Sequence, residues 1–103
     1  MLLKSKIVIV TGAGSGIGKS IARAYAEKAA TVILVDKNES TGRETETEIL
    51  LDGYDATFIK ADVSVPEDIV SLIKTVIGLY NRIDIVINNA GISRWKSPSE
   101  LSV

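Results

Sequence analysis

Along its length the chain alternates short, largely apolar runs with longer stretches in which apolar side chains return every three or four residues. The runs fall at residues 7–10, 31–35, 56–59 and 83–87. They are rich in β-branched side chains with little polar alternation, as suits parallel strands covered on both faces. The intervening stretches predict helices. Residues 16–28 place Ile17, Ile21, Ala24 and Tyr25 at helical intervals, and the small Ala22, Ala24 and Ala26 let the helix sit close on a sheet. Ala29-Ala30 stands where a left-handed glycine cap is expected, so Ala29 is predicted to be left-handed. Residues 39–51 are less regular: Thr41, Thr45 and Thr47 mix with Glu44, Glu46 and Glu48, and only residues 49–51 offer a firm apolar face. That predicts an exposed, mobile helix, ended by Gly53. The third helix is the clearest. Ser64 and Glu67 have capping-box spacing, Pro66 sits in the tolerated first turn, and Asn81 can take the left-handed end. Between them Ile69, Leu72, Ile73, Val76, Ile77 and Tyr80 form one stripe. Strand and helix in alternation define an α/β fold with a Rossmann-type parallel sheet. Right-handed crossovers then predict strand order 3-2-1-4, the first two helices on one face and the third on the other. Strand four, with Ile83, Ile85, Val86 and Ile87, would be an open edge prone to pairing.

The junction between the first strand and first helix carries the chemistry. It reads Thr11-Gly12-Ala13-Gly14-Ser15-Gly16-Ile17-Gly18, a run whose glycines let the backbone turn sharply and approach a ligand, just where a helix offers unpaired N–H groups and the positive end of its dipole. A strand-to-helix turn that merely needs glycine is the structural alternative. Strand, loop and helix nevertheless arrive in the order a pyrophosphate site requires, and the second apolar run ends in Asp36, whose carboxylate suits a ribose diol. Gly18-Lys19-Ser20 also ends a P-loop pattern, but that pattern needs glycine at the position of Ala13 and gives Asp36 no role. Strand four runs into Asn88-Asn89-Ala90-Gly91, at the carboxyl end where open α/β sheets collect ligands.

Composition narrows the classes. The 103 residues are 46% hydrophobic with a net charge of -1, one soluble domain or part of one, and too nearly neutral to announce a nucleic-acid or anionic-membrane surface. With no cysteine and no histidine, disulfides, thiolates, imidazole bases and the usual zinc sites are excluded, and no metal site is expected. No long apolar segment suggests a membrane span or secretory signal, which leaves the cytoplasm as the default location.

Taken with Asp36 and Asp62-Val63, the Thr11–Gly18 turn and Asn88–Gly91 make the chain resemble the short-chain dehydrogenase/reductase family, marked by a T-G-x-x-x-G-I-G turn followed downstream by N-N-A-G. The resemblance runs over the whole chain but covers only about the first two-fifths of a usual member. It implies the following roles. Gly12, Ser15, Gly16, Ile17 and Gly18 embrace the phosphates and adenosine ribose, and Asp36 binds the ribose hydroxyls. Asp62 and Val63 contact the adenine, and Asn89, Ala90, Gly91 and Ile92 approach the nicotinamide ribose, with Thr11 tethering that segment to the first strand. An acid at 36 and Ser15, where NADP-preferring relatives often carry arginine, favour NAD over NADP, with Lys37 as a partial offset. The family's Ser and Tyr-x-x-x-Lys are absent: Tyr25 is followed four residues on by Ala29, Tyr54 by Phe58 and Tyr80 by Asp84. No catalytic residue is therefore assigned, and each tyrosine is read as structural. Ser93 and Trp95 are loop residues that could touch a ligand, and Ser102 looks like the N-cap of a further helix. The expectation is the N-terminal part (1–103) of one NAD(P)-binding domain that stops mid-fold. The complete protein would be an oxidoreductase acting on an alcohol or carbonyl substrate, a homo-oligomer by resemblance, and the 103 residues alone would be inactive. The alternatives are a non-catalytic dinucleotide-binding module or truncated product and, more remotely, a P-loop nucleotide hydrolase.

Overall fold

The computed structural model describes residues 2–92, with backbone alone for 91 and 92. Ser93, Trp95 and Ser102, singled out above, lie outside the described residues. Strands and helices alternate as β1 (Ile7–Thr11), α1 (Gly16–Glu27), β2 (Thr31–Asp36), α2 (Glu39–Leu51), β3 (Asp55–Lys60), α3 (Pro66–Tyr80), β4 (Ile85–Asn88) and a short α4 (Asn89–Ile92). The strands form one parallel sheet in the order β3-β2-β1-β4, as the crossover rule predicts.

Alternate residues of the central strands feed two cores. Val8, Val10, Val32 and Leu34 face Ala22, Ala26 and Ile49 from α1 and α2, while Ile7, Ile9, Ile33 and Val35 face Leu72 and Val76 from α3. All of these are buried, which is why the central strands read as unbroken apolar runs.

Three expectations need correction. Of residues 49–51 only Ile49 belongs to the inner face of α2: Leu50 and Leu51 are exposed, and the buried line is Gly42, Thr45 and Ile49. The helix is seated against β3. An added Cβ on Gly42 would run into the Phe58 ring, Arg43 stacks over that ring at 5.1 Å, and Glu46 Oε2 accepts the Phe58 N–H at 2.8 Å. Burial here is carried by a glycine and a threonine that a hydrophobic periodicity does not register. The capping box also fails to form. Val65 is the N-cap of α3, and Ser64 lies one residue too early, its hydroxyl donating to Asp62 Oδ1 at 2.6 Å. Finally, the α3 stripe is only half covered. Leu72 and Val76 are buried, whereas Ile69, Ile73 and Ile77 remain about two-fifths exposed, at 41%, 38% and 42%.

Strand four is shorter than its apolar run because Asp84 ends the pairing. Its Oδ2 accepts the Ile7 N–H at 2.8 Å and its own N–H donates to Ile7 O at 2.9 Å, pinning the starts of β1 and β4 together. Arg82 closes a fork on the same carboxylate at 2.7 and 2.9 Å. The far side of β4 pairs with no strand among the described residues, and Val86 is 55% exposed, so the expected open edge is present.

Candidate functional site

The site lies past the carboxyl ends of the strands, where the chain must leave the sheet four times. β1 exits through Thr11 into Gly12, whose φ of +64° only glycine adopts without strain. Thr11 is buried, and its hydroxyl is the knot of this corner. It lies 3.0 Å from Asn88 Oδ1, to which it donates, and accepts the Ala90 N–H at 3.0 Å, joining the exit of β1 to that of β4. Asn89 Nδ2 donates to Gly12 O at 3.3 Å across the same seam.

The loop then passes under α2. Gly14 N–H donates to Asp36 Oδ2 at 2.9 Å, and Asn38 N–H donates to the other oxygen, Oδ1, also at 2.9 Å. The acid closing β2 is thereby bound directly to the glycine loop. α1 begins at Gly16, left-handed at φ +58°, with no atom within 4 Å of an added Cβ. Ser15 is its N-cap but makes no side-chain cap bond, so the amides of the first turn keep their donor capacity. Gly18 serves packing: its Cβ would collide with the Gly12 carbonyl and fall 2.6 Å from Asn89 Nδ2.

These exits enclose a cavity of about 500 Å³ lined by Gly12, Ser15, Ile17, Asp36, Asp62 and Ala90, among others. Ile17 is 70% exposed and presents an apolar surface to it. At the far wall, Asp62 N–H donates to Asp68 Oδ2 at 2.9 Å while its own Oδ1 accepts the Ser64 N–H, so the β3 exit is folded into a tight turn leading to α3. Helix-start amides, a carboxylate held at the end of β2 and an apolar floor together suit a ligand carrying phosphate, a sugar diol and a flat ring.

A family model described as short chain dehydrogenase matches residues 6–103. The chain belongs to the short-chain dehydrogenases. Among curated relatives, it is 38% identical over 101 residues to the uncharacterized oxidoreductase YxnA of Bacillus subtilis, covering 98% of this chain and 28% of that protein. It is 43% identical over 86 residues to the L-fucose dehydrogenase of Oryctolagus cuniculus, covering 84% of this chain and 29% of that one. Among solved structures it superposes on a hydroxysteroid dehydrogenase from Escherichia coli with TM-score 0.82 and 32% identity, over 84% of this chain and 37% of the other. A putative D-mannonate oxidoreductase from Haemophilus influenza with bound NAD gives 0.77 at 27% identity, over 82% and 30%. A metagenomic short-chain oxidoreductase in complex with NADP gives 0.79 at 31%, over 82% and 38%. The chain thus spans under a third of the length of the two curated relatives.

The motif residues converge in space here. Gly12, Ser15, Ile17, Asp36, Asp62, Val63, Asn89 and Ala90 all line the one cavity. Gly16 and Gly18 are not among its lining residues; Gly16 supplies the left-handed turn into α1, and Gly18 lets α1 approach the Gly12 carbonyl. Gly91 and Ile92 fall in α4, directly after the wall residues. Sequence reasoning named Gly14 only as one of the loop glycines and left out Val35 and Ala61 as site residues. Val35 and Ala61 line the cavity as immediate neighbours of Asp36 and Asp62, a signal that was present. Lys37 lines it as well. Lys19, the residue a P-loop would aim at phosphate, pairs with Glu48 of α2 at 2.8 Å. Tyr80 packs on the α3-side core with its hydroxyl 3.1 Å from Thr57 Oγ1, and Tyr25 packs against the other core. Among the described residues no acidic cluster could hold a metal ion, and no helix is long and apolar enough to cross a membrane.

Proposed function

We propose that residues 1–103 are the N-terminal, cofactor-holding part of one dinucleotide-binding domain, in an NAD-dependent oxidoreductase acting between an alcohol and its carbonyl. The observation that carries this reading is the Asp36 carboxylate, bound by the glycine loop and facing the cavity. When bound, nicotinamide supplies the hydride acceptor or donor. The chain's own residues bind and orient: the amides around Ser15, Gly16, Ile17 and Gly18 hold the phosphates, and Asp36 takes the ribose hydroxyls. Asp62 and Val63 flank the adenine, and Asn89 to Ile92 approach the second ribose.

NAD is preferred because a 2′-phosphate would meet Asp36 at close range. Two unit charges about 4 Å apart near a protein surface repel by up to about 4 kcal/mol. Lys37, exposed at the cavity rim, offsets only part of that. Among similar proteins one is seen with NAD and another with NADP, and in this chain Asp36 is the residue proposed to discriminate between them. Names among the relatives, a sugar and a hydroxysteroid dehydrogenase, support an alcohol or carbonyl substrate class. Calorimetric titration with both cofactors tests the assignment: NAD binds more tightly, and Asp36→Asn narrows the gap. Tighter binding of NADP to the wild-type protein would refute it.

No tyrosine in these residues has a lysine four positions on, which favours a second reading in which they bind cofactor without turning it over. A serine and a Tyr-x-x-x-Lys pair in the remainder of the protein would place proton transfer there. Their absence would leave a dinucleotide-binding module. The complete protein is further proposed to be a cytoplasmic homo-oligomer.

A further inference from the structure

We infer that Gly14 determines cofactor specificity, acting through Asp36 as a positioning residue; the inference rests on the NAD reading above. Gly14 is buried, and its φ is not in the left-handed region, so its conformation does not require glycine. Its neighbours do. A Cβ there would fall 2.9 Å from Asp36 Oδ2, 3.0 Å from Thr41 Cβ and closer still to Thr41 Oγ1. The same residue's N–H holds that same Oδ2. Gly14 therefore both draws the carboxylate in and leaves the space it needs.

The other side of the space is equally fixed. Asn38, the N-cap of α2, donates its N–H to Asp36 Oδ1 and accepts the Thr41 N–H on its side chain at 3.2 Å. Fully buried Thr45 holds Thr41 from below, its hydroxyl 3.2 Å from Thr41 O and 3.5 Å from Gly14 O. Each carboxylate oxygen of Asp36 thus has one amide donor and keeps further acceptor capacity, an arrangement matched to two adjacent ribose hydroxyls. A 2′-phosphate would require the carboxylate to swing out and abandon both amides. Two side-chain groups around Gly14 can turn aside without moving backbone, the Thr41 hydroxyl, whose part the Thr41→Ala background removes, and the Asp36 carboxylate. In Gly14→Ala the methyl displaces it, so the diol contact and the repulsion of phosphate are lost together.

The experiment is equilibrium titration of the full chain with NAD and with NADP, alongside thermal melting. The variants are Gly14→Ala, Thr41→Ala, Gly14→Ala/Thr41→Ala, Asp36→Asn and Gly14→Ala/Asp36→Asn. Gly14→Ala is expected to weaken NAD roughly tenfold, the loss of a charge-assisted hydrogen bond, with NADP unchanged or tighter. Thr41→Ala alone leaves the NADP-to-NAD ratio unchanged. The Gly14→Ala/Thr41→Ala protein regains melting temperature, because the closest clash is gone, yet keeps the narrowed ratio because Asp36 is still displaced. That split separates specificity from folding and decides the matter even if Gly14→Ala alone does not fold. In the Asp36→Asn background, Gly14→Ala changes the ratio no further. A wild-type ratio in the folded Gly14→Ala or double variant, or an equal narrowing without Asp36, overturns the inference. Wild-type protein lacking an Asp36-dependent NAD preference overturns instead the function proposed above.

Discussion

Replacing Ala29 by glycine should stabilise the protein, and the end of α1 shows by how much. Lys28 is the C-cap, Ala29 follows with φ +71°, and Ala30 is buried behind it. The Ala29 N–H reaches Ala26 O at 2.9 Å and the Ala30 N–H reaches Tyr25 O at 3.3 Å, the paired bonds of a Schellman ending. α2 ends identically with glycine in the critical place: Gly53 has φ +87°, its N–H meets Leu50 O at 3.0 Å, and Tyr54 N–H meets Ile49 O at 3.1 Å. Ala29 is exposed and Gly53 has nothing near its missing Cβ, so a swap at either site changes backbone strain and little else. A left-handed alanine costs about 1–2 kcal/mol. Glycine returns about 0.5–1 kcal/mol of that through the greater freedom of the unfolded chain. The net gain for Ala29→Gly is about 0.5–1 kcal/mol, equivalent to roughly 2–8 °C in a domain of this size. Gly53→Ala should lose a similar amount. Thermal melts followed by circular dichroism at neutral pH read both. A fall in melting temperature for Ala29→Gly beside a rise for Gly53→Ala would refute the reasoning, since the two endings share one geometry.

Further predictions concern charge, packing and the sheet edge. The Arg82 fork and the Ile7 amide hold Asp84 down to about 2 from an ordinary 3.8, so its stabilisation is complete above pH 3.8 and lost as pH falls toward 2. Asp84→Asn should flatten the urea midpoint over that window, and an unchanged slope would deny the pair its role. Gly18→Ala drives a methyl into the Gly12 carbonyl and should cost about 3 kcal/mol or prevent folding, as measured by denaturant unfolding. Wild-type stability would mean that α1 can retreat from the loop. Glu46→Ala bares the Phe58 N–H and should cost about 1–3 kcal/mol and promote self-association at β3, seen by analytical ultracentrifugation. An unchanged sedimentation profile would show that the edge needs no cover.

Strand order and helix positions were legible because each strand is a β-branched run and each connection is long enough for one crossover. Ala29 was legible for a similar local reason: helix periodicity stopped at a residue where only a left-handed turn fits. What stayed hidden was held by long-range polar contacts. Gly42 and Thr45 read as breaks in an amphipathic pattern, yet they are the inner face of α2, because Phe58 demands a missing side chain and the glycine loop accepts a hydroxyl. Ser64 matched a cap by spacing, but Asp62 took its hydroxyl. In the site, the acid at 36 and the turn at 12–18 were visible separately. That Gly14 joins them depends on two segments meeting 22 residues apart in sequence, which no local rule encodes. Asp84, one residue outside β4, gave no motif at all and emerges only from the partners it pins.

The two rims of the sheet are unequal. On β3, Glu46 already occupies a mid-strand donor and Arg43 roofs Phe58, so a newcomer there meets a side chain where it seeks an amide. On β4 no such guard stands among the described residues, and whatever docks there arrives beside Asn88, Asn89 and Ala90. A strand laid on the β4 flank would therefore border the cavity and bring its own side chains up to the mouth of the pocket.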